Sequence, residues 1–69
     1  MSRQLAPLVS ELRGARIARG LRQLDVSERS GYPLNTVSLW ERGLRIPSTR
    51  ALVDWASSLG MDVQLVERK

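Results

Sequence analysis

Residues 23–43 read QLDVSERSGYPLNTVSLWERG, and the spacing of small, apolar and glycine positions in this stretch decides the fold. Two helices that cross tightly, at about 100 degrees, need a small residue where their backbones meet, a glycine at the turn, and apolar anchors behind the second helix. Ser27 fills the first role, Gly31 the second, and Val26, Val37 and Trp40 the third. A helix of barely two turns is expected from about Gln23 to Ser30, with Gly31 as a left-handed cap. A second is expected from about Leu34 to Arg42, where Val37, Trp40 and Glu41 share a face and Gly43 supplies the stop.

Working outward, Pro7 suits the first turn of a preceding helix, expected over Leu8 to Arg19 with Leu8, Leu12 and Ala15 at helical spacing, and Gly20 ends it. Downstream, Ser48 after Pro47 is a good N-cap for a fourth helix that ends at Gly60 with Leu52, Trp55, Ala56 and Leu59 inward. Beyond Gly60 the period changes. Met61, Val63 and Leu65 alternate with Asp62, Gln64 and Val66, which predicts a strand. A strand needs a ladder partner, and the candidates are Arg3 to Ala6 or the same strand of a second copy.

Composition narrows the function. The chain has 69 residues, 42% of them apolar, and neither cysteine nor histidine. No imidazole base, thiol nucleophile or ordinary zinc cage is available, so an enzyme is not expected, nor is a metal or cofactor. A domain of this size with no staple is near the lower limit for folding alone, which makes a second copy a useful source of stability. Eleven basic residues oppose seven acidic ones, a net charge of +4 with a pI near 11.1, which favours an anionic partner. Residues 1–50 hold a balance of +5 and residues 51–69 one of −1, so the anion should meet the first fifty. With no apolar run of about 20 residues and no signal-peptide pattern, the expected location is the cytoplasm, away from the membrane.

Gln23, Val26, Ser27, Gly31, Thr36, Val37, Trp40, Glu41, Arg42, Gly43, Pro47 and Ser48 together resemble the helix-turn-helix of the phage Cro and lambda-repressor family, also called XRE, over about residues 8–60. The resemblance implies a mainly α fold, a bundle of four to five short helices that binds DNA and regulates transcription. In such proteins the second helix of the motif enters the major groove with its N-terminal residues on base edges. Carried onto this chain, the base-reading set is Leu34, Asn35, Ser38 and Leu39. Asn35 suits adenine N6 and N7, Ser38 donates or accepts, and the leucines suit thymine methyls. Gln23 matches a phosphate-contacting glutamine, and Arg22, Thr36, Arg42, Arg45 and Arg50 are further candidates for the phosphate backbone. Arg16 and Glu41 match a structural ion pair of the family. Three positions depart from its pattern. Arg22 stands where Ser or Thr usually caps the motif's first helix, Pro33 stands where a polar cap often precedes the reading helix, and Ser27 replaces the usual alanine. The Ser27 hydroxyl is expected to bond back to the preceding turn.

The ending from Leu59 to Arg68 is similar to the tails of HipB-type antitoxins, in which a strand after the last helix pairs across a dimer. That similarity implies residues 1–60 as the DNA-binding domain and 61–69 as a dimerisation strand through Met61, Val63, Leu65 and Val66. It further implies a homodimer on an inverted-repeat operator, autorepression, and a HipA-type kinase toxin as protein partner. Two other readings stand beside it. One is a protein-interaction module that keeps the fold without the DNA role, suggested by Leu34, Leu39 and Leu44. The other is a phage or restriction-modification controller with the same chemistry. Tyr32, in the turn, suits either packing or phosphate contact.

Overall fold

The computed structural model describes residues 5–64, which form four helices: α1 (Leu5–Ala18), α2 (Gln23–Ser30), α3 (Leu34–Glu41) and α4 (Thr49–Ser58). The bounds of α2 are those expected. Helix α1 already includes Leu5, ahead of the expected start at Leu8, because Pro7 lies within its first turn, where a missing N–H leaves no helical bond unmade. Helix α3 stops at Glu41, one residue early. Arg42 caps it, and the Gly43 and Leu44 N–H groups return to the Trp40 and Leu39 carbonyls at 3.1 and 2.9 Å through the left-handed Gly43, φ 72°. Helix α4 is capped as expected, with the Ser48 hydroxyl oxygen accepting from the Ala51 N–H at 3.1 Å.

The turn between α2 and α3 depends on Gly31, whose φ of 82° is one that side-chain-bearing residues rarely adopt. Its N–H closes α2 on the Ser27 carbonyl at 3.0 Å. The Ser27 hydroxyl does not bond back to the preceding turn. It donates forward, to the Tyr32 carbonyl at 2.6 Å, and so pins the connecting turn itself. The reason is local: leaving α2 at Gly31 brings the Tyr32 carbonyl back over the helix, where it needs a donor.

The core draws on every helix. Val9 and Leu12 come from α1, Val26 from α2, Val37 and Trp40 from α3, and Ala51, Leu52, Trp55 and Ala56 from α4, joined by Leu59. Leu8 and Ala15 pack at its edge and Val9 lies inside it, so the buried stripe of α1 is rotated slightly from the expected one. Trp40 stacks on Trp55 with ring centroids 5.3 Å apart, and Tyr32 meets Trp40 edge-on at 5.0 Å. Such ring pairs contribute about 0.5–1.5 kcal/mol each beyond their area burial. The Trp55 indole N–H is buried without a partner among the described residues. Its desolvation costs about 1–3 kcal/mol, less than the roughly 3–5 kcal/mol lost when a buried aromatic is removed.

The C-terminal segment departs from expectation. Residues 61–64 form no strand, and Leu5 and Ala6, half of the expected in-chain partner, belong to α1. Among the described residues no second strand is present to complete a ladder for the alternating pattern. Met61 instead packs against the core edge, and Met61 and Val63 line a groove with Leu8 and Leu12. Leu65 and Val66 lie outside the described residues. Among the described residues no helix is long and apolar enough to cross a membrane.

Candidate nucleic-acid interface

Helix α3 turns Val37 and Trp40 inward, where both are buried, and this rotation fixes what its other side presents. Leu34 and Asn35 are exposed, and Ser38 and Leu39 are half-buried. Spacings of three and four place these residues on one outward side. Leu34 keeps 44% of its surface open, so the described chain leaves the start of this side uncovered. Pro33 precedes α3 without a side-chain cap, and its carbonyl accepts from the Val37 N–H at 3.1 Å, which makes Leu34 the first helical residue. The four residues carried over for base reading are thus brought together.

At its other end, α3 is held by Glu41. The Glu41 side chain is 1% exposed, and a charge so buried needs partners. Arg16 supplies them in a fork, Nε to Oε2 at 2.7 Å and Nη2 to Oε1 at 3.0 Å, while its Nη1 donates to the Leu21 carbonyl at 2.7 Å. The same Oε1 accepts from the Gln23 amide Nε2 at 3.1 Å and has Arg13 Nε at 3.7 Å. One carboxylate therefore connects α1, the start of α2 and the end of α3. Gln23, named for phosphate contact, is brought to this cluster with one amide N–H engaged and half-buried.

Arg22 has no side-chain acceptor and does not cap α2. Asp25 does part of that work in reverse: its Oδ2 accepts the Arg22 backbone N–H at 2.7 Å, and both carboxylate oxygens accept from the Arg22 guanidinium at 3.2 and 3.0 Å. The guanidinium bond, with the backbone N–H second, holds the Asp25 carboxyl down at about 2, below its ordinary 3.8, and the pairing raises the guanidinium in turn. Arg22 remains exposed at the start of α2, but with its charge paired.

The remaining phosphate candidates divide. Thr36 and Arg45 line one surface depression with Tyr32, Ile46 and the capping Ser48, ahead of α4. Arg42 is exposed at the end of α3. Arg50 is turned toward Asp54 on its own helix, Nε to Oδ1 at 3.4 Å. Tyr32 takes the packing role: its ring lies on Trp40 and its hydroxyl donates to Asp54 Oδ2 at 2.9 Å. That bond, followed by burial and the charge of Asp54, raises the phenol above its usual 10.0. Among the described residues no group of acidic side chains is arranged to hold a metal ion.

Sequence reading missed four side chains. Arg13 stands one turn before Arg16 on the same side of α1, a helical spacing that would have placed it near Glu41. Asp25, three residues after Arg22, carries the acidic half of a capping box. Asp54 left no local signal, since its partner Tyr32 is 22 residues away. Arg29 also crosses between elements, donating to the Ser58 carbonyl at the end of α4 at 3.3 Å.

Comparison with known proteins agrees with this geometry. The helix-turn-helix family matches residues 12–66. An uncharacterized HTH-type transcriptional regulator of Sinorhizobium fredii is 36% identical over 62 residues, covering 90% of this chain and 32% of that protein. The chain thus spans about a third of the length of the curated relative it matches. No solved structure matches it significantly. Both matches are to helix-turn-helix proteins, one of them a transcriptional regulator. With its small residue, turn glycine and apolar anchors in the expected places, the chain belongs to the helix-turn-helix family.

Proposed function

We propose that this chain is a sequence-specific DNA-binding regulator of transcription, with Leu34, Asn35, Ser38 and Leu39 of α3 as the base-reading residues. The carrying observation is the open outward side of α3, rigidly backed by Val37 and Trp40 and flanked by basic residues. Arg22, Gln23, Thr36, Arg42, Arg45 and Arg50 hold the phosphate backbone in this reading. Arg22 and Arg50 exchange their carboxylate partners for phosphate, and Gln23 donates its second amide N–H. The name of the Sinorhizobium relative supports transcriptional regulation.

The finer reading is a cytoplasmic homodimer, joined through residues 61–69, that grips an inverted repeat and represses its own gene as the antitoxin of a HipA-type kinase. Its support is the likeness of the tail and the alternation of Met61, Val63 and Leu65. A second copy would supply the ladder partner that residues 61–64 do not have within the described chain. Deletion of residues 62–69 is expected to give monomers in sedimentation, and a persisting dimer refutes this mode of pairing.

Selection of bound duplexes from a random pool tests the whole reading: one enriched inverted repeat is expected. Affinity should then fall by powers of ten between about 50 and 200 mM salt if a dimer neutralises roughly 6–10 phosphates. Leu34 at 44% exposure and Leu44 at 67% favour the alternative, a protein-interaction module. That reading predicts no enriched duplex and little salt dependence.

A further inference from the structure

The surroundings of Arg13 on α1 point to a use beyond the fold. Its Nε lies 3.7 Å from Glu41 Oε1, but that carboxylate already accepts closer bonds from Arg16 and Gln23. Two guanidinium groups thus share one carboxylate, and the local charge is positive by one. Arg16 is the buried member, its side chain 13% exposed, whereas that of Arg13 is 56% exposed. No hydrogen bond engages Arg13 among the described residues, so its terminal N–H groups are unspent. Arg13 Nε and the Gln23 amide both approach Oε1, which makes the two side chains neighbours.

We infer that Arg13 is a phosphate-contacting residue of the DNA interface and shares one backbone phosphodiester with Gln23. This rests on the DNA-binding reading above. Glu41 is the positioning residue of the pair. By taking one N–H of the Gln23 amide it fixes which way the amide faces and leaves the other N–H for the phosphate, and by its charge it keeps Arg13 on the same side. The planar guanidinium then meets the phosphate oxygens with two donors, and the amide adds a third. A simple ion pair with Glu41 accounts for the placement less well. At 3.7 Å and more than half exposed, that pair contributes almost nothing to folding, and Glu41 is satisfied without it.

The test is duplex binding by the full chain, Arg13→Ala and Arg13→Lys across a salt series, on a selected duplex and a scrambled one. Arg13→Ala should lower affinity for both duplexes by a similar factor, about tenfold at low salt, and reduce the salt slope by about 0.9 per bound copy. Its urea midpoint should match the unaltered chain, and Arg13→Lys should restore the slope but only part of the affinity. The double variant Arg13→Ala, Gln23→Ala should lose less than the two single losses multiplied, because both groups hold one phosphate. An unchanged salt slope in Arg13→Ala, or fully multiplicative losses, overturns the shared contact while leaving DNA binding intact. Failure of the unaltered chain to bind any duplex overturns both.

Discussion

Tyr32 donates its phenolic O–H to Asp54 Oδ2 at 2.9 Å, and the bond runs from the turn ahead of α3 to the middle of α4. The same ring rests edge-on against Trp40, the inward anchor of α3. One side chain thus ties the turn ahead of α3 to both α3 and α4.

Tyr32→Phe keeps the ring packing and removes only the bond. The expected loss is about 1 kcal/mol, read as a lower urea midpoint at unchanged slope. Because the bond needs the protonated phenol and raises it above 10.0, its contribution is complete below pH 10 and is lost as pH rises through the raised value. The two midpoints should therefore converge under alkaline conditions. A constant gap would show that the hydroxyl acts in some other way.

Arg16→Ala leaves Glu41 nearly buried with only Gln23 and the distant Arg13. A stranded buried charge costs about 3–5 kcal/mol, comparable to the whole reserve of a domain this small. Far-UV circular dichroism should show a chain largely unfolded near room temperature, with DNA binding lost for that reason. A well-folded Arg16→Ala variant would mean that Gln23, Arg13 and water satisfy Glu41 at little cost.

Asn35→Ala alters an exposed residue and should leave the melting curve unchanged. On the selected duplex the loss should be about 1–3 kcal/mol, with relaxed preference at one base pair. An unaltered footprint and affinity would remove Asn35 from the reading set.

Asp25→Asn removes the acceptor charge at the start of α2. Asp25 has a depressed carboxyl, so its contribution is full above pH 3.8 and fades as pH falls through about 2. Urea midpoints of the two proteins, measured from pH 5 down to pH 2, should approach each other. If their separation stays constant, the pairing with Arg22 contributes nothing to folding.

The helices of this protein were legible because each is punctuated locally. Gly31 and Gly43 close α2 and α3, Ser48 opens α4, and apolar residues recur at intervals that only a helix places on one side. The limits of α1 and α3 were read less well, because Pro7 is compatible with several positions in a first turn and Arg42 with either the last helical residue or the cap. The alternation after Gly60 forms no strand at residues 61–64 of the single chain. Period two describes which side chains would share a face, but a strand exists only where a second backbone completes its hydrogen bonds.

Leu34, Asn35, Ser38 and Leu39 came from the resemblance to the helix-turn-helix family, and helical geometry puts them on one side once Val37 and Trp40 are inside. The partners of the charged residues do not follow in the same way. The convergence of Arg13, Arg16 and Gln23 on Glu41, the turning of Arg50 toward Asp54, and the bond from Tyr32 across to α4 each depend on distances between side chains on the folded surface. Sequence determined the helices and the side each one buries, since those depend on neighbours three and four residues away. Tertiary structure decided which cations are already paired and which remain open to an anion, because a charge is satisfied by whatever lies within a few ångströms of it, however far along the chain.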